Sequence, residues 1–239
     1  MSELSLLGFG DGEWGRVLLL ATLMTLKVSL TGFAIGLAFG SLGAWAKLSR
    51  VRLAHGAASI YTTVFRGVPE LLIIYIFYFG GTQAVSWLSQ ALFASDLALD
   101  AFWVGALAVA MVSGAYQTEV LRGAYHAIPK GELEAARVTG MSRTLLLRHI
   151  LVPRILHFAL PGIGNVWQLA IKESALISVI GLVEILRQAK IGAGVTGEPF
   201  LFYIAAGVLF LAVTSVSGVA FRWLERRTRR HLPKTQETQ

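Results

Sequence analysis

The chain has 239 residues, of which 55% are hydrophobic and only 15% are charged, and its mean hydropathy is +0.63. Soluble globular domains carry about 25% charged residues, so this composition excludes an ordinary cytosolic enzyme as well as a disordered chain. The absence of cysteine excludes a disulfide scaffold, a thiolate metal site and a cysteine nucleophile. The net charge of +7 suits either nucleic acid or a membrane surface, and the distribution of the basic residues decides between them.

Five apolar segments are each able to form a transmembrane helix, which needs about 20 apolar residues to cross a hydrocarbon core about 30 Å thick. In chain order they are residues 17–46, 71–95, 101–118, 155–183 and 199–221. The first segment holds a single charge, Lys27, and the fourth holds the adjacent pair Lys172 and Glu173. The sequence therefore predicts an all-α, polytopic membrane protein with five transmembrane helices.

Basic residues collect on one side of these segments, as the positive-inside rule requires of cytoplasmic loops. With the N-terminus outside, four Lys or Arg fall in the first cytoplasmic segment, six in the second and six in the C-terminal tail, out of 21 in the chain. We therefore predict a periplasmic N-terminal segment 1–16, a transmembrane domain 17–222 and a basic cytoplasmic tail 223–239. The tail is interpreted as an anchor beside anionic lipid, and no nucleic-acid partner is expected.

Small residues recur at every fourth position of the first span, at Gly32, Gly36, Gly40 and Ala44. This spacing produces a smooth helix face that another helix can approach closely. Packing within the chain is favoured over a dimer seam.

Other local features modify the simple picture of apolar helices. Residues 55–65 are mixed in character and predict a segment at the cytoplasmic interface, with Pro69 in the first turn of the second span. Glycine and proline at 161–164 predict a hinge in the fourth span or a helix end that faces a ligand. Glu119 lies three residues before Arg122, a spacing that predicts an ion pair.

The loop at about 129–153 has the pattern of a helix, a turn and a second helix. Gly131 is a candidate cap at the start of the first helix, and Gly140 offers a left-handed stop at its end. Ser142 is a candidate cap of the second helix, which is expected to end before Pro153.

Polar side chains inside the fourth span need an explanation, because a charge at the bilayer centre costs about 2.5–3.5 kcal/mol. Asn165, Gln168 and Lys172 are three and four residues apart, so they form one polar stripe along the helix. The stripe either holds the bundle together by hydrogen bonds or lines a substrate path. Lys172 and Glu173 are adjacent and cannot share one helix face.

The cytoplasmic loop resembles the EAA loop of ABC importer permeases in both sequence and spacing. The residues that match the motif are Glu134, Ala135, Ala136, Gly140, Ile150 and Pro153. Val152 stands where the family usually has leucine. The resemblance implies that these residues form a coupling helix that docks on an ATPase subunit.

Four further segments resemble the polar amino-acid permeases within that family. They are residues 65–72, where Val68 replaces the threonine of an Arg-Gly-Thr-Pro element, and residues 115–124, 160–176 and 181–185. The resemblance is strongest to the Q-type subunit of the histidine/lysine-arginine-ornithine and octopine/nopaline permeases. It implies a substrate path around the fourth span, with these candidate residues: Tyr116, Glu119, Asn165, Gln168, Lys172, Glu173 and Ser174.

The resemblance implies a permease subunit of a binding-protein-dependent ABC importer in a bacterial inner membrane. The implied substrates are polar, basic amino acids or opines of the histidine, arginine, lysine, ornithine, octopine and nopaline class. The expected partners are two ABC ATPase subunits, a second permease subunit (a sister or a second copy), a periplasmic solute-binding protein and the lipid membrane. No catalytic residue, metal site or cofactor is expected on this chain. The sequence has no G-x-x-x-x-G-K-[ST] P-loop, so ATP is expected to be used by the partner.

The alternative function is a secondary amino-acid transporter driven by an ion gradient, with Glu119, Lys172 or Glu173 as a relay. Five spans and the loop motif argue against it. An intramembrane hydrolase is disfavoured, because the sequence contains neither an H-E-x-x-H nor a G-x-S-x-G motif.

Overall fold

The computed structural model describes residues 3–10, 12–93 and 100–229, and all secondary structure in these ranges is helical. The predicted end of the second span at Ser95 and residues 230–239 of the predicted tail lie outside the described residues. The α-helices are α1 (Gly15–Leu48), α2 (Arg52–Gly67), α3 (Glu70–Tyr75), α4 (Gly81–Phe93), α5 (Ala101–His126), α6 (Lys130–Val138), α7 (Arg143–Leu146), α8 (Val152–Ser174), α9 (Ile185–Thr196) and α10 (Pro199–Arg229). Tighter 3₁₀ segments occupy Glu3–Leu7 and Ala175–Ile180, and wider π turns occupy Ile76–Gly80 and Leu147–Leu151.

Helices α1 and α5 form the centre of the fold and pack along a seam of small residues. A Cβ atom added at Gly32 would lie 2.7 Å from Val109 and 2.8 Å from the carbonyl oxygen of Ala106. Added Cβ atoms at Gly36 and Gly40 would be similarly close to later residues of α5, so the two helices run parallel. The small-residue face predicted from the sequence is therefore confirmed as a packing face within the chain.

Replacing Gly32 with alanine should destabilise the fold, because the new methyl group would press on the backbone of α5. Overpacking of this kind costs about 1–3 kcal/mol, and we expect a lower melting temperature of the purified protein in detergent. Gly56→Ala on α2 is the matched control, since a Cβ there meets nothing within 4 Å and alanine favours a helix. Equal melting temperatures for the two variants would contradict the close contact of α1 with α5.

The remaining long helices pack around this pair. Helix α8 runs against α1, where the ring centroids of Phe33 and Trp167 lie 5.3 Å apart in an edge-to-face contact. Helix α9 and the start of α10 cover the beginning of α1, where Trp14 contacts Phe202 with ring centroids 5.5 Å apart. The bundle thus has two ends, one at the start of α1 and one at Lys47, and α6 follows α5 at the Lys47 end.

The outer surface of the bundle is apolar. Large apolar side chains are exposed along the long helices, among them Leu20, Leu42, Trp45, Val208 and Leu211. Four helical segments of the described chain are long and apolar enough to cross a membrane, namely Gly15–Leu48, Ala101–His126, Arg143–Ile180 and Pro199–Thr228. A fifth span results if α2 and the helix Glu70–Trp87, which are bent by 109°, are counted together. Four of the five predicted spans coincide with these long helices, and the second predicted span, 71–95, corresponds to the helix Glu70–Trp87, which counts as a span only together with α2.

Two predicted helix ends are wrong. Helix α8 continues through Pro161 and the neighbouring glycines, and the helix that begins at Arg143 continues past Pro153. A broken helix inside an apolar span would leave unpaired backbone groups, so the continuous helix is favoured despite its prolines. The π turn Leu147–Leu151 lies directly before Pro153 and gives the proline ring more room than an α-helical turn would. Pro69 is the N-cap of α3, one position before the predicted first turn.

Glu184 lies in the connection between two candidate spans and caps α9. Its two carboxylate oxygens accept hydrogen bonds from the backbone N–H groups of Leu186, at 2.9 Å, and Arg187, at 2.8 Å. The side chain is fully buried, and this burial raises the pKa of Glu184 to about 7, although the two hydrogen bonds lower it. The folded chain therefore holds a proton on Glu184 to a higher pH than the unfolded chain does.

The stability that this proton contributes is present at low pH and is lost as the pH rises through about 7. We expect the melting temperature of the wild type to fall relative to that of Glu184→Gln between about pH 5 and about pH 8, since glutamine does not ionise. Thermal unfolding of both proteins at each pH measures this difference in melting temperature. The effects of all other titrating groups cancel in the difference, because both proteins contain them. A constant difference across the range would contradict the raised pKa of Glu184.

Candidate coupling helix and substrate path

The loop predicted as a coupling element forms the short helix α6 and a tight turn. The predicted cap at Gly131 is wrong: Pro129 is the N-cap, without a side-chain capping bond, and the helix begins two residues earlier than a Gly131 cap predicts. Gly140 has a φ of +75°, so the predicted left-handed stop is confirmed. Ser142 accepts a hydrogen bond from the N–H of Leu145 at 3.3 Å and caps the next helix as predicted.

The residues of the EAA motif divide between two faces of this loop. Ala136 is buried, whereas Glu134, Ala135 and Gly140 are exposed. Further along, Ile150 is half-buried and Pro153 is exposed. The exposed residues of α6 are therefore open to a partner, and Ala136 faces the rest of the chain.

Val138 is a residue of this surface that the sequence analysis missed. It ends α6 with 88% of its surface exposed, in a helix that is otherwise rich in charge. A singly exposed apolar side chain is common on protein surfaces, so the position of Val138 on α6, and not its exposure alone, makes it a candidate contact residue. The signal available in the sequence was a lone valine among charged residues.

An ion pair also missed in the sequence connects the coupling loop to a membrane span. The Nη2 atom of Arg154 on α8 lies 2.6 Å from the Oε1 atom of Glu132 on α6. Only 15% of the Arg154 side chain and 29% of the Glu132 side chain are exposed. This pair joins the first turn of α6 to the first turn of α8.

Lys47 connects three helices at its end of the bundle, with Glu119 of α5 as its ionic partner. The Nζ atom of Lys47 on α1 contacts Glu119 and donates a hydrogen bond to the hydroxyl of Thr62 on α2 at 2.6 Å. The Nη2 atom of Arg122 lies 2.9 Å from the other Glu119 oxygen, so the predicted ion pair is confirmed. Glu119 was also a candidate for the substrate path, and the structure places its carboxylate between two cations.

Tyr116 lies one turn before this cluster on α5. The guanidinium group of Arg66 lies over its ring, 5.3 Å from the ring centroid. This cation–π contact brings the Arg-Gly-Val-Pro segment close to a residue predicted for the substrate path.

The polar stripe of the fourth span faces away from the core of the chain. Asn165 and Lys172 are exposed and Gln168 is half-buried, whereas Glu173 and Ser174 are buried. The prediction that Lys172 and Glu173 occupy different faces is confirmed. The predicted path residues therefore form two groups, an outward stripe and an inward pair.

The inward group contains an acidic side chain with unusual surroundings. Glu173 is 3% exposed, and neither of its carboxyl oxygens has a hydrogen-bond partner within the described part of the chain. Its charged neighbour is Glu70, the first residue of α3. Burying an acidic group without a partner is costly, so two acids held together predict a site for a cation. The sequence analysis quoted Glu70 in a motif but did not include it among the site residues.

The arrangement offers no metal cluster of the usual kind in the described residues, where no three His, Cys, Asp or Glu side chains converge. Two carboxyl groups, one buried and one half-buried, instead suit an organic cation, which binds through fewer charged groups.

Comparisons with known proteins agree on one family. A family model described as binding-protein-dependent transport system inner membrane component matches residues 36–230. The octopine transport system permease protein OccQ of Agrobacterium tumefaciens (strain Ach5) is 52% identical to the chain, over 98% of this chain and 99% of that protein. The nopaline transport system permease protein NocQ of Agrobacterium fabrum (strain C58 / ATCC 33970) is 46% identical, over 95% of this chain and 99% of that protein.

A solved structure, titled a crystal structure of an amino acid ABC transporter with histidines, is similar with a TM-score of 0.77 and 31% sequence identity. The match covers 90% of this chain and 95% of that chain. The family model and the relatives span nearly all of the helical bundle, and they agree with the predicted resemblance to Q-type permeases. The chain therefore belongs to the family of binding-protein-dependent transport system inner membrane components and is a multi-pass permease subunit of an ABC importer.

Proposed function

We propose that this chain and a second permease subunit form the membrane pathway of an importer for basic amino acids or opines. The observation that carries the substrate class is the buried Glu173 beside the half-buried Glu70. A guanidinium or ammonium group that entered between them would balance the charge of the two acids and supply the hydrogen bonds that Glu173 lacks. The similar proteins OccQ and NocQ are named as permease proteins of octopine and nopaline transport systems, and HisQ of Escherichia coli (strain K12) as one for histidine, lysine, arginine and ornithine.

The outward polar stripe is proposed to line the pathway toward the second permease subunit. Asn165 and Lys172 would be costly against lipid, because hydrocarbon offers them no hydrogen-bond partner. A polar surface on a partner subunit, or water between the two subunits, removes this cost. The same surface supplies amide and ammonium donors for the carboxylate of an amino acid.

The Lys47 end of the bundle is proposed to face the cytoplasm, with the N-terminus in the periplasm. Lys47, Arg122 and Arg154 lie at this end, together with the basic residues of α6 and the end of α10. Such a concentration of positive charge favours the cytoplasmic side. In this orientation α6 points toward the cytosol, where two ATPase subunits would dock, and a periplasmic binding protein would deliver substrate at the other end.

The function is tested by reconstituting the permease with its ATPase and binding-protein partners in lipid vesicles. Uptake of labelled octopine or arginine into the vesicles should require ATP at the ATPase subunits. It should persist when an uncoupler removes the proton gradient. If uptake stopped with the uncoupler while ATP remained high, the secondary transporter would be favoured instead. The similarity to ABC importer permeases argues against that outcome.

The coupling role of α6 predicts a loss of transport without a loss of insertion. Gly140→Pro cannot adopt the φ of +75° and removes the N–H that donates to the carbonyl of Arg137 at 3.1 Å. Glu134→Lys reverses the charge of an exposed residue on the docking face. Both variants should reach normal levels in the membrane, fail to retain the ATPase during purification and show uptake below about a tenth of the wild-type rate.

Gly131→Ala is the control, because this glycine lies in the same helix, has ordinary backbone geometry and has open space around its Cβ position. The control should transport at the wild-type rate. Normal uptake and normal ATPase retention in the Gly140→Pro and Glu134→Lys variants would overturn the docking role.

A further inference from the structure

A pocket of about 320 Å³ lies at the end of the bundle opposite α6, between the Ala175–Ile180 segment, α9 and the start of α10. Its lining residues are Ser178, Val179, Leu186, Arg187, Lys190 and Tyr203. None of them belongs to the coupling loop or to the candidate substrate path. Two of them are cationic, which sets this pocket apart from the apolar surface around it.

The first cation is held in a fixed position. The Nη1 atom of Arg187 donates a hydrogen bond to the backbone carbonyl of Ser178 at 2.9 Å, and the side chain is half-buried. A guanidinium group has five N–H donors, so this one bond orients it and leaves donors for a ligand. The second cation, Lys190, is exposed one turn later on α9, and it has no hydrogen bond or ion pair with any described residue.

Neither cation forms an ion pair with a residue in the described ranges. The nearest acidic residue along the chain, Glu184, directs both oxygens to backbone N–H groups at the start of α9. The ion pairs of the described residues join other side chains and include neither Arg187 nor Lys190. Two like charges that share a pocket repel each other, and an anionic oxygen group would relieve the repulsion. The hydroxyl of Tyr203, at the exposed rim, adds a neutral donor suited to a carboxylate.

We propose that this cationic pocket is a docking site for an acidic side chain of the solute-binding protein. The inference rests on the proposed function, whose orientation places the pocket on the periplasmic face. Basic residues are scarce on that face, where the predicted segments hold only Arg16, Arg187 and Lys190. Two of these three residues share one pocket. The binding protein is the partner that must dock on this face in every transport cycle. A carboxylate from Asp or Glu matches the pocket in charge and in hydrogen-bond acceptors.

The test uses the complete importer in lipid nanodiscs and titrates the binding protein while ATP hydrolysis is measured. Lys190→Glu alone, and together with Arg187→Glu, should raise the binding-protein concentration needed for half-maximal stimulation by about tenfold or more. The basal hydrolysis without binding protein should stay unchanged. Lys190→Glu removes no bond within the described chain, so a folding defect does not explain its effect. In the wild type, added salt should weaken the stimulation more than it does in the double variant.

Arg16→Glu is the matched control, because it makes the same charge reversal on the same face at an exposed residue outside the pocket. This control should change the half-maximal concentration by no more than about twofold. An unchanged half-maximal concentration in both pocket variants, with stimulation intact, would overturn the docking site while the importer function stands. Absence of any stimulation in the wild type would instead contradict the proposed function itself.

A lipid phosphate in the pocket is the other source of an anionic group, and nanodiscs distinguish it from the binding protein. If lipid fills the pocket, the wild type should be stabilised by phosphatidylglycerol over phosphatidylcholine, the double variant should lose this effect, and the half-maximal concentration should not change. That result would overturn the docking proposal. The docking proposal would be supported if the wild type were equally stable in both lipids and the pocket variants showed the tenfold rise in the half-maximal binding-protein concentration.

Discussion

Replacing Arg154 with glutamate should abolish uptake while the chain still enters the membrane. In the wild type the Arg154 guanidinium lies 2.6 Å from Glu132, and the pair joins α6 to the start of α8. The substitution would place two carboxylates against each other in a partly buried position, so α6 would lose its fixed place on the span. Because ATPase motion is proposed to enter through α6, we expect ATP hydrolysis to continue in the assembled complex without substrate uptake. Uptake should fall below about a tenth of the wild-type rate.

A charge swap separates the ion pair from other effects of the mutation. The double variant Glu132→Arg with Arg154→Glu restores opposite charges. Because the ion pair can form again, the double variant should recover about half or more of the lost uptake. Arg148→Glu is the control, because Arg148 is an exposed arginine on the same helical segment and forms no ion pair among the described residues. Uptake and hydrolysis that remain coupled in Arg154→Glu would show that this pair does not transmit the motion.

Local patterns in the sequence predicted the parts of the fold that depend on local physics. Apolar length predicted the spans, because a helix must match the thickness of the bilayer. Glycine spacing predicted the packing face on α1, although not α5 as its partner, because residues four apart share a helix face. The same locality explains the error at Pro161 and Pro153, where glycine and proline suggested breaks. Inside an apolar bundle the cost of unpaired backbone groups outweighs those local preferences, and the helix continues.

Contacts between distant segments were the part that the sequence could not supply. Glu70 and Glu173 belong to different helices, and no spacing rule brings them together. Their meeting depends on the 109° bend between α2 and the following helix, which directs α3 onto the Ala175–Ile180 segment. Glu132 and Arg154 are 22 residues apart, so their contact could be predicted only if the hairpin of α6 and α8 were already known. The EAA motif located the coupling loop but not the bond that holds it.

Replacing Glu173 with glutamine should change stability and transport in opposite directions. The wild-type carboxyl group is buried beside Glu70 and lacks a hydrogen-bond partner in the described chain. A glutamine amide can donate to Glu70 and carries no charge, so we expect a higher melting temperature in the absence of substrate. The same change removes one of the two acids proposed to bind the substrate cation. Losing a buried charge partner costs about 2 kcal/mol or more, and uptake of arginine or octopine at low concentration should fall by about thirtyfold or more.

Glu119→Gln provides the matched contrast, because it neutralises an acid that already pairs with Lys47 and Arg122. That variant should lower the melting temperature, since two cations lose their partner where the helices meet. A substrate-binding role for Glu173 further requires that added arginine raise the melting temperature of the wild-type complex more than that of Glu173→Gln. If Glu173→Gln transports basic substrates at the wild-type rate, the acidic pair is a structural feature and the substrate cation binds elsewhere. The two melting temperatures should change in opposite directions because both residues are glutamates within helical spans but differ in their partners. Glu119 is paired with two cations, whereas Glu173 has no hydrogen-bond partner in the described chain.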